Sequence, residues 1–242
     1  MTFILYRYLI LLVLLIILLC VSKNRIKVDN FENPKVYHIY YINLKHREDR
    51  KKELLTQLKK LDKIPNTKFV IERIDAVKHQ KGGIGCGESH INALEKANNN
   101  NLEQVIIIED DIDSKENEMI KYFTEIESNK GWDVFIMSGH GGKKKLKGNV
   151  FRALAIQTTG MYIIKKGYYQ TLQKCFQESV DNMRRRFEVG KDIDYNRWAI
   201  DQNWKTLQKK DNWLTIDTNL GVQRADYSDI ENKKVDYKVS LN

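Results

Sequence analysis

The sequence is poor in cysteine, proline and glycine, and these shortages limit the kind of protein it can form. Among its 242 residues are 3 cysteines, 2 prolines and 13 glycines. So little proline and glycine leaves no room for long disordered linkers. Cys20 lies in an apolar N-terminal run, so Cys86 and Cys175 are the only possible disulfide pair in the remaining chain, and we expect two separate buried thiols. The length and a hydrophobic content of 42% predict one globular domain with an appendage.

Positive charge exceeds negative charge, and the formal net charge is +9. Most lysines are scattered, which is typical of a solvated surface. The densest run is Lys143, Lys144, Lys145 and Lys147, in a glycine-rich stretch that we interpret as a loop. This run would also suit an anionic acceptor, a pyrophosphate or a lipid headgroup. No basic-aromatic module accompanies the charge, so nucleic acid is not an expected partner.

The N-terminus contains an uninterrupted apolar and aromatic run at residues 8–21, close to the length that a membrane-spanning helix needs. We predict that residues 1–22 are a transmembrane anchor or signal segment, that 23–35 are a linker and that 36–242 are the functional domain. The expected localisation is the membrane, in a single pass, with the side of the membrane left open. A cleaved signal peptide is the alternative.

Apolar periodicity in the rest of the chain alternates between strand and helix patterns. Buried strands are predicted near 36–44, 69–74, 105–108, 134–137 and 161–164. Helices are predicted near 54–61, 119–126, 168–176 and 200–207, and a glycine turn at 82–87 is predicted to lead into a further helix through Ile91, Leu94 and Ala97. Strands that alternate with helices predict an α/β fold with a mostly parallel central sheet in three layers.

A cluster of acids follows the apolar strand in the segment VIIIEDDID. In open α/β sheets, ligands bind beyond the carboxyl ends of the strands. Neighbouring carboxylates repel one another unless a cation compensates them. Glu109 and Asp111 lie on the same side of an extended chain and can share one ion, and oxygen ligands favour Mn²⁺ or Mg²⁺. The alternative is that these acids begin a helix, an explanation that we keep for Asp113.

Four segments make the sequence resemble glycosyltransferase family 25, which includes bacterial lipooligosaccharide galactosyltransferases and collagen galactosyltransferases. They are YYINLKHREDR, RIDAVKHQKGGIGCGESHINAL, VIIIEDD and TTGMYIIKKGYYQTL, in the family's order between Tyr40 and Leu172. The second segment holds the family's Gly-Cys-x-x-Ser-His signature at Gly85, Cys86, Ser89 and His90. Together the four segments lie within roughly half of the chain.

The resemblance implies a GT-A-like nucleotide-binding sandwich and a metal-dependent transfer with inversion at the sugar carbon. The donor would be a UDP-sugar carrying galactose or glucose, and the acceptor a hydroxyl on a glycan, a lipid-linked sugar or a protein. Mn²⁺, or Mg²⁺ in its place, would stabilise the departing diphosphate. The implied metal ligands are Glu109 and Asp111. The implied nucleotide-sugar-binding residues are Asn43, Arg47, Arg50, Ser89, His90 and Asp110.

The general base is sought among the remaining acids. Asp201 lies one residue after the inward-facing Ile200 on the last predicted helix, beside aromatic residues that would desolvate it. We predict Asp201 as the catalytic base, with Asp192 and Asp194 as fallbacks. The polar C-terminal segment 221–231 would close over the donor as a lid or pack as an ordered terminus. Two rival functions remain open: an inactive nucleotide-sugar-binding protein of the same fold, and a metal-dependent phosphohydrolase.

Overall fold

A computed structural model describes residues 34–217, 219–228 and 233–235 of the chain. The strands are β1 (Lys35–Asn43), β2 (Thr67–Asp75), β3 (Gln104–Glu109), β4 (Ile112–Ser114), β5 (Val134–Lys147), β6 (Val150–Lys165), β7 (Trp213–Ile216), β8 (Gly221–Gln223), β9 (Asp226–Ser228) and β10 (Lys233–Val235). The α-helices are α1 (Glu48–Leu58), α2 (Gly82–Asn99), α3 (Glu116–Ser128), α4 (Tyr169–Glu188), α5 (Tyr195–Trp198), α6 (Ile200–Asn203) and α7 (Lys205–Gln208). Short 3₁₀ turns cover Lys59–Lys63 and Lys166–Tyr168.

Six strands form the central sheet in the order β2-β1-β3-β6-β5-β7. β1 pairs in parallel with β2 and β3, and β5 pairs in parallel with β7. Only β6 runs against its neighbours β3 and β5, so five of these six strands point the same way. The prediction of a mixed α/β fold with a mostly parallel central sheet is confirmed.

Each face of the sheet is covered by a separate apolar cluster. Alternate residues of β1 point to opposite faces, so Tyr40 enters one cluster and Ile39 the other. Helices α2 and α4 cover the first face, for example through Phe176. Helices α1 and α3 cover the second face through residues such as Leu54 and Phe123. The helices therefore cover both faces of the sheet and leave the strand ends accessible.

Two local predictions are wrong. The lysine-rich stretch predicted as a loop belongs to a long hairpin, in which β5 continues to Lys147 and pairs with the start of β6. Its exposed lysines lack apolar alternation because this part of the hairpin has no core to face. The predicted single helix at 200–207 is divided by a turn at Trp204 into two short helices, and the Trp204 indole N–H donates to the carbonyl of Ile156 at 2.8 Å.

The expected single-pass membrane localisation is contradicted, since the described residues contain no helix with the length and apolarity to span a bilayer. The predicted anchor at 1–22 and most of the linker lie outside the described residues. Cys86 and Cys175 are both free, as expected.

Candidate active site

The site forms where β1 and β3 end side by side. Ile42 lies opposite Glu109 in the register of these parallel strands, so the residues that follow each strand meet at one edge of the sheet. Asn43 is buried there, and its amide donates to Oδ2 of Asp110 at 2.6 Å. Arg50, from the first turn of α1, donates to Oδ1 of the same carboxylate at 3.1 Å. Asn43 and Arg50 therefore hold the Asp110 carboxylate in place by hydrogen bonds, although both had been predicted to bind the nucleotide.

Glu109 is the centre of a buried hydrogen-bond chain. Its Oε1 accepts from Nε2 of His90 at 3.1 Å and from Oγ1 of Thr159 at 2.6 Å. Because a carboxylate only accepts, the His90 hydrogen lies on Nε2, and Nδ1 accepts from the hydroxyl of Tyr162 at 3.0 Å. Burial works to raise the pKa of Glu109, but the hydrogen bonds from His90 and Thr159 leave it below its usual value. Glu109 is therefore ionised.

Asp111 is the carboxylate whose charge is least compensated. Its Oδ1 is buried without a hydrogen-bond partner among the described residues. Its Oδ2 lies 3.6 Å from a guanidinium nitrogen of Arg50. Burial and the charge of Glu109 raise the pKa of Asp111 to about 7. A desolvated oxygen beside a second carboxylate is the environment that a divalent cation relieves, so Asp111 and Glu109 fit the predicted metal.

A second group of potential ligands includes Glu109 but excludes Asp111. Ligand atoms of Cys86, His90 and Glu109 lie within 4.8 Å of one another. Both nitrogens of His90 already have hydrogen-bond partners. Desolvation and the charges of Glu109 and Asp201 raise the pKa of the Cys86 thiol well above its usual value. A protonated thiol and an occupied imidazole favour a hydrogen-bonded network over a metal site.

The Gly-Cys-x-x-Ser-His segment attaches the loop after β2 to helix α2. A Cβ on Gly85 would lie 2.3 Å from the carbonyl oxygen of Val77, so only glycine permits the loop after β2 to approach the helix. One turn later, the Ser89 hydroxyl donates to the carbonyl of Gly85 at 2.6 Å and accepts from the Val77 amide at 2.8 Å. Cys86 and His90 share the next helical row and line the cavity. Ser89 therefore fastens a cavity wall, and its hydroxyl has no capacity left to donate to a ligand.

Two cavities meet at Glu109 and Cys86, which line both. The first, which we name the Arg50 cavity, has a volume of about 550 Å³. Its walls include Arg50, Val77, His79, Ser89, His90, Asp110, Asp111 and Tyr227. The second, the Asp201 cavity, has a volume of about 350 Å³. Its walls include Gly83, His140, Gln157, Thr158, Thr159, Tyr195, Asp201, Asn219 and Gln223.

Asp201 is held in its cavity by two neutral donors. The backbone N–H of Thr158 donates to Oδ2 at 3.0 Å, and the Gln202 amide donates to Oδ1 at 3.2 Å. Thr158 has a φ of +85°, which is unusual for a β-branched residue and costs free energy. This strained turn in β6 aims the N–H at Asp201 and places Thr159 against Glu109. Each carboxylate oxygen of Asp201 therefore has a lone pair left for a further hydrogen bond.

The C-terminal segment covers the acidic cluster. β8 pairs with β4, and beyond it the Arg224 amide donates to the carbonyl of Asp111 at 2.8 Å. The Arg224 guanidinium donates to the carbonyl of Asp110 at 2.9 Å and also pairs with Glu53. The carbonyl of Tyr227 accepts from Arg50 at 2.8 Å, and its exposed ring lines the Arg50 cavity. This segment forms part of the cavity wall.

Most of the predicted site residues converge at these cavities. Those that line the Arg50 cavity are Arg50, Ser89, His90, Glu109, Asp110 and Asp111. Asp201 lines the other cavity, whereas Asn43 and Arg47 line neither. Arg47 pairs with Asp49 and donates to the carbonyl of Tyr227 at 3.3 Å. The fallback acids Asp192 and Asp194 do not line these cavities either.

Three residues of β6 were not assigned a role from the sequence: Thr158, Thr159 and Tyr162. The sequence feature that could have indicated them is the pair of threonines that begins TTGMYII, because these polar residues precede an otherwise apolar strand. The Nε2 of His140 accepts from the Gln157 amide at 2.8 Å on the wall of the Asp201 cavity.

Comparison with known proteins bears on this site directly. The model of the family described as "Glycosyltransferase family 25 (LPS biosynthesis protein)" matches residues 78–159, about a third of the chain. The matched segment contains Gly85, Ser89, His90, the acidic cluster and Thr159. No curated protein matches the sequence significantly.

Among solved structures, the similarities are distant. A mannose-1-phosphate geranyltransferase from Thermus thermophilus has a TM-score of 0.42 at 8% identity, over 75% of this chain and 73% of the other. A glycosyltransferase involved in glycosylation of the major capsid of PBCV-1 has a TM-score of 0.41 at 11% identity, over 76% and 92% of the two chains. Mouse xyloside xylosyltransferase 1 has a TM-score of 0.28 at 11% identity, over 63% and 64%. Similarities at this level carry no information on donor, acceptor or mechanism.

The family match contains the acidic cluster together with His90 and Thr159, which hydrogen-bond to Glu109, and it identifies the protein as a glycosyltransferase. Within that class, residues 78–159 are similar to glycosyltransferase family 25, in agreement with the resemblance seen in the sequence.

Proposed function

We propose that the protein is a metal-dependent, inverting hexosyltransferase with a GT-A-like fold. It transfers galactose or glucose from a UDP-sugar to a hydroxyl acceptor on a glycan, a lipid-linked sugar or a protein. The observation that carries the proposal is the pair Glu109 and Asp111, placed at the end of β3 with a buried, unpartnered oxygen on Asp111 among the described residues. The Arg50 cavity that contains them is within the size range of small-molecule sites.

Each of the two cavities binds one of the two substrates. The donor occupies the Arg50 cavity, where Arg50 gives its diphosphate a permanently charged, fork-shaped partner. Glu109 and Asp111 would hold the divalent ion, which when bound supplies positive charge to the leaving diphosphate. The acceptor hydroxyl enters the Asp201 cavity and approaches the anomeric carbon near Glu109, where the cavities meet.

Asp201 acts as the general base. It accepts the proton of the acceptor hydroxyl as the new bond to the anomeric carbon forms and the bond to the diphosphate breaks. Attack from the Asp201 cavity, on the side of the carbon away from the Arg50 cavity, gives inversion. The hydrogen bonds from Thr158 and Gln202 keep the carboxylate oriented toward the cavity, which the fallback acids do not line.

The test begins with UDP release by the full-length chain from a panel of UDP-sugars, with Mn²⁺ and with a chelator. We expect metal-dependent release with UDP-galactose or UDP-glucose. Asp111→Asn should lose UDP–Mn²⁺ binding in calorimetry while its melting temperature without metal stays equal or rises, because a poorly compensated buried charge is removed. The matched control is Asp62→Asn, at an exposed acid outside both cavities. Failure of the wild type to bind UDP with Mn²⁺ would refute the proposal.

Asp201→Asn separates catalysis from donor binding. Asparagine keeps an oxygen for the Thr158 N–H, so the fold and the affinity for UDP should not change. The rate of transfer should fall by about 10²–10⁴-fold, as is typical when a general base is lost. Equal rates for Asp201→Asn and the wild type would remove Asp201 from the mechanism. Phosphate release from simple esters, without transfer, would instead support a phosphohydrolase.

A further inference from the structure

The Asp201 cavity contains more recognition groups than a single hydroxyl requires. A serine or hydroxylysine side chain would bring one hydroxyl to Asp201 and little else. The cavity wall also has an aromatic ring, three amide side chains and an imidazole. These groups call for an acceptor with several hydroxyls and an apolar face.

Tyr195 provides the apolar surface of the cavity. It is 40% exposed, although it packs on the first turn of α2. A Cβ on Gly83 would lie 2.6 Å from Cε1 of Tyr195, so the absence of a side chain at Gly83 lets the ring lie close to the helix. Tyr195 begins the short helical module that also carries Asp201, so the ring and the base belong to one unit.

The polar side chains of the cavity wall differ in the hydrogen-bond donors that remain available to a ligand. The oxygen of Gln157 accepts from Lys205 at 2.7 Å and its nitrogen donates to His140, so that this amide is fixed in place. Since His140 accepts at Nε2, its hydrogen lies on Nδ1. Asn219 uses its oxygen to accept from the Gly139 amide at 3.3 Å, which leaves its NH₂ group for a ligand. Among the described contacts, the Gln223 amide has no hydrogen bond, so it too is available.

We propose that Tyr195 is a specificity-determining residue and that the Asp201 cavity binds a pyranose sugar as the acceptor. The apolar C–H face of the ring packs on Tyr195, while the Asn219 and Gln223 amides and the His140 N–H bind its hydroxyls. One further hydroxyl points to Asp201. The inference rests on the proposed transfer reaction and narrows its acceptor to a glycan rather than an amino-acid side chain.

The experiment compares three acceptor probes: methyl β-D-galactopyranoside, methyl β-D-glucopyranoside and N-acetyl-serine methylamide. With the donor chosen by the UDP-sugar panel, we expect a pyranoside to stimulate UDP release and the serine derivative to leave it at the rate of hydrolysis. Tyr195→Ala should raise KM for the pyranoside by about five- to tenfold, the scale of a lost aromatic contact. The affinity for UDP–Mn²⁺ should not change, because Tyr195 does not line the Arg50 cavity.

Two further variants separate recognition from folding. Tyr195→Phe keeps the ring and should restore the wild-type KM. Gly83→Ala displaces the ring and should raise KM while Asp201 stays in place. An unchanged KM in Tyr195→Ala, or a serine derivative as good as the pyranosides, would overturn the inference.

A binding measurement distinguishes the failure of this inference from the failure of the proposed function. If the wild type shows no transfer with any donor, saturation-transfer NMR can still measure binding of the same pyranosides. Binding that is lost in Tyr195→Ala and kept in Tyr195→Phe would support the inference alone. No pyranoside binding to the wild type would overturn it.

Discussion

Thr159→Val tests whether a single hydroxyl holds the buried carboxylate of Glu109. Thr159 is buried, and its Oγ1 donates to Oε1 of Glu109 at 2.6 Å. Valine has nearly the same shape, so the variant removes the donor without opening a cavity. Hydrogen bonds to charged groups contribute about 1.5–3 kcal/mol. Because the Glu109 side chain is 15% exposed and keeps its bond to His90, we expect a loss of about 2 kcal/mol, within that range.

The measurement is thermal unfolding at neutral pH with a chelator present, so that metal binding does not mask the effect. For a domain of this size, each kcal/mol shifts the melting temperature by about 2–4 °C, so a fall of about 4–8 °C is expected. Thr215→Val is the matched control, since Thr215 is also buried in a strand and its hydroxyl donates to the neutral carbonyl of Ile136 at 3.0 Å, a bond that should contribute about 1 kcal/mol or less. Equal shifts for the two variants would show that Glu109 does not depend on Thr159.

Three other changes probe the site and its supports. Cys86→Ser should leave Mn²⁺ affinity in calorimetry within about twofold of wild type, because a network residue can be replaced where a thiolate ligand cannot; a tenfold loss would make Cys86 a ligand. Gly85→Ala should destabilise the fold by about 1–3 kcal/mol in chemical denaturation through its clash with the Val77 carbonyl, whereas Gly167→Ala, with open space around it, should have little effect. Burial raises the pKa of Cys175 to about 12, so little thiolate forms at pH 8 in the folded protein. Its alkylation by iodoacetamide, followed by mass spectrometry, should be about a thousandfold slower in the folded protein than in the protein unfolded in urea. Comparable rates in the two states would contradict the burial of Cys175.

The strands and the acidic edge were predictable because their signals are local. A run of apolar residues that stops at Glu109 indicates a buried strand and its end, and the structure ends β3 there. Asp201 was predicted from its place beside Ile200, and the structure puts it on a cavity wall. In both cases one short segment contains the whole pattern.

Contacts across the sheet were not predictable in the same way. Thr159 reaches Glu109 because β6 inserts antiparallel beside β3, with Ile108 opposite Met161. That pairing joins segments far apart in sequence, and no local period indicates it. The family resemblance placed Arg47 near the nucleotide, whereas in the structure its guanidinium donates to the carbonyl of Tyr227, 180 residues away.

The antiparallel pairing of β4 with β8 has a consequence for how the enzyme matures during synthesis. The carbonyls of Asp110 and Asp111 find their partners in Arg224, so the catalytic edge stays unfinished until the chain has left the ribosome past that arginine. A nascent chain that ends before Arg224 would lack these two hydrogen-bond donors even if its central sheet were already folded. The acidic edge is therefore completed late in synthesis, after all six strands of the central sheet have been made.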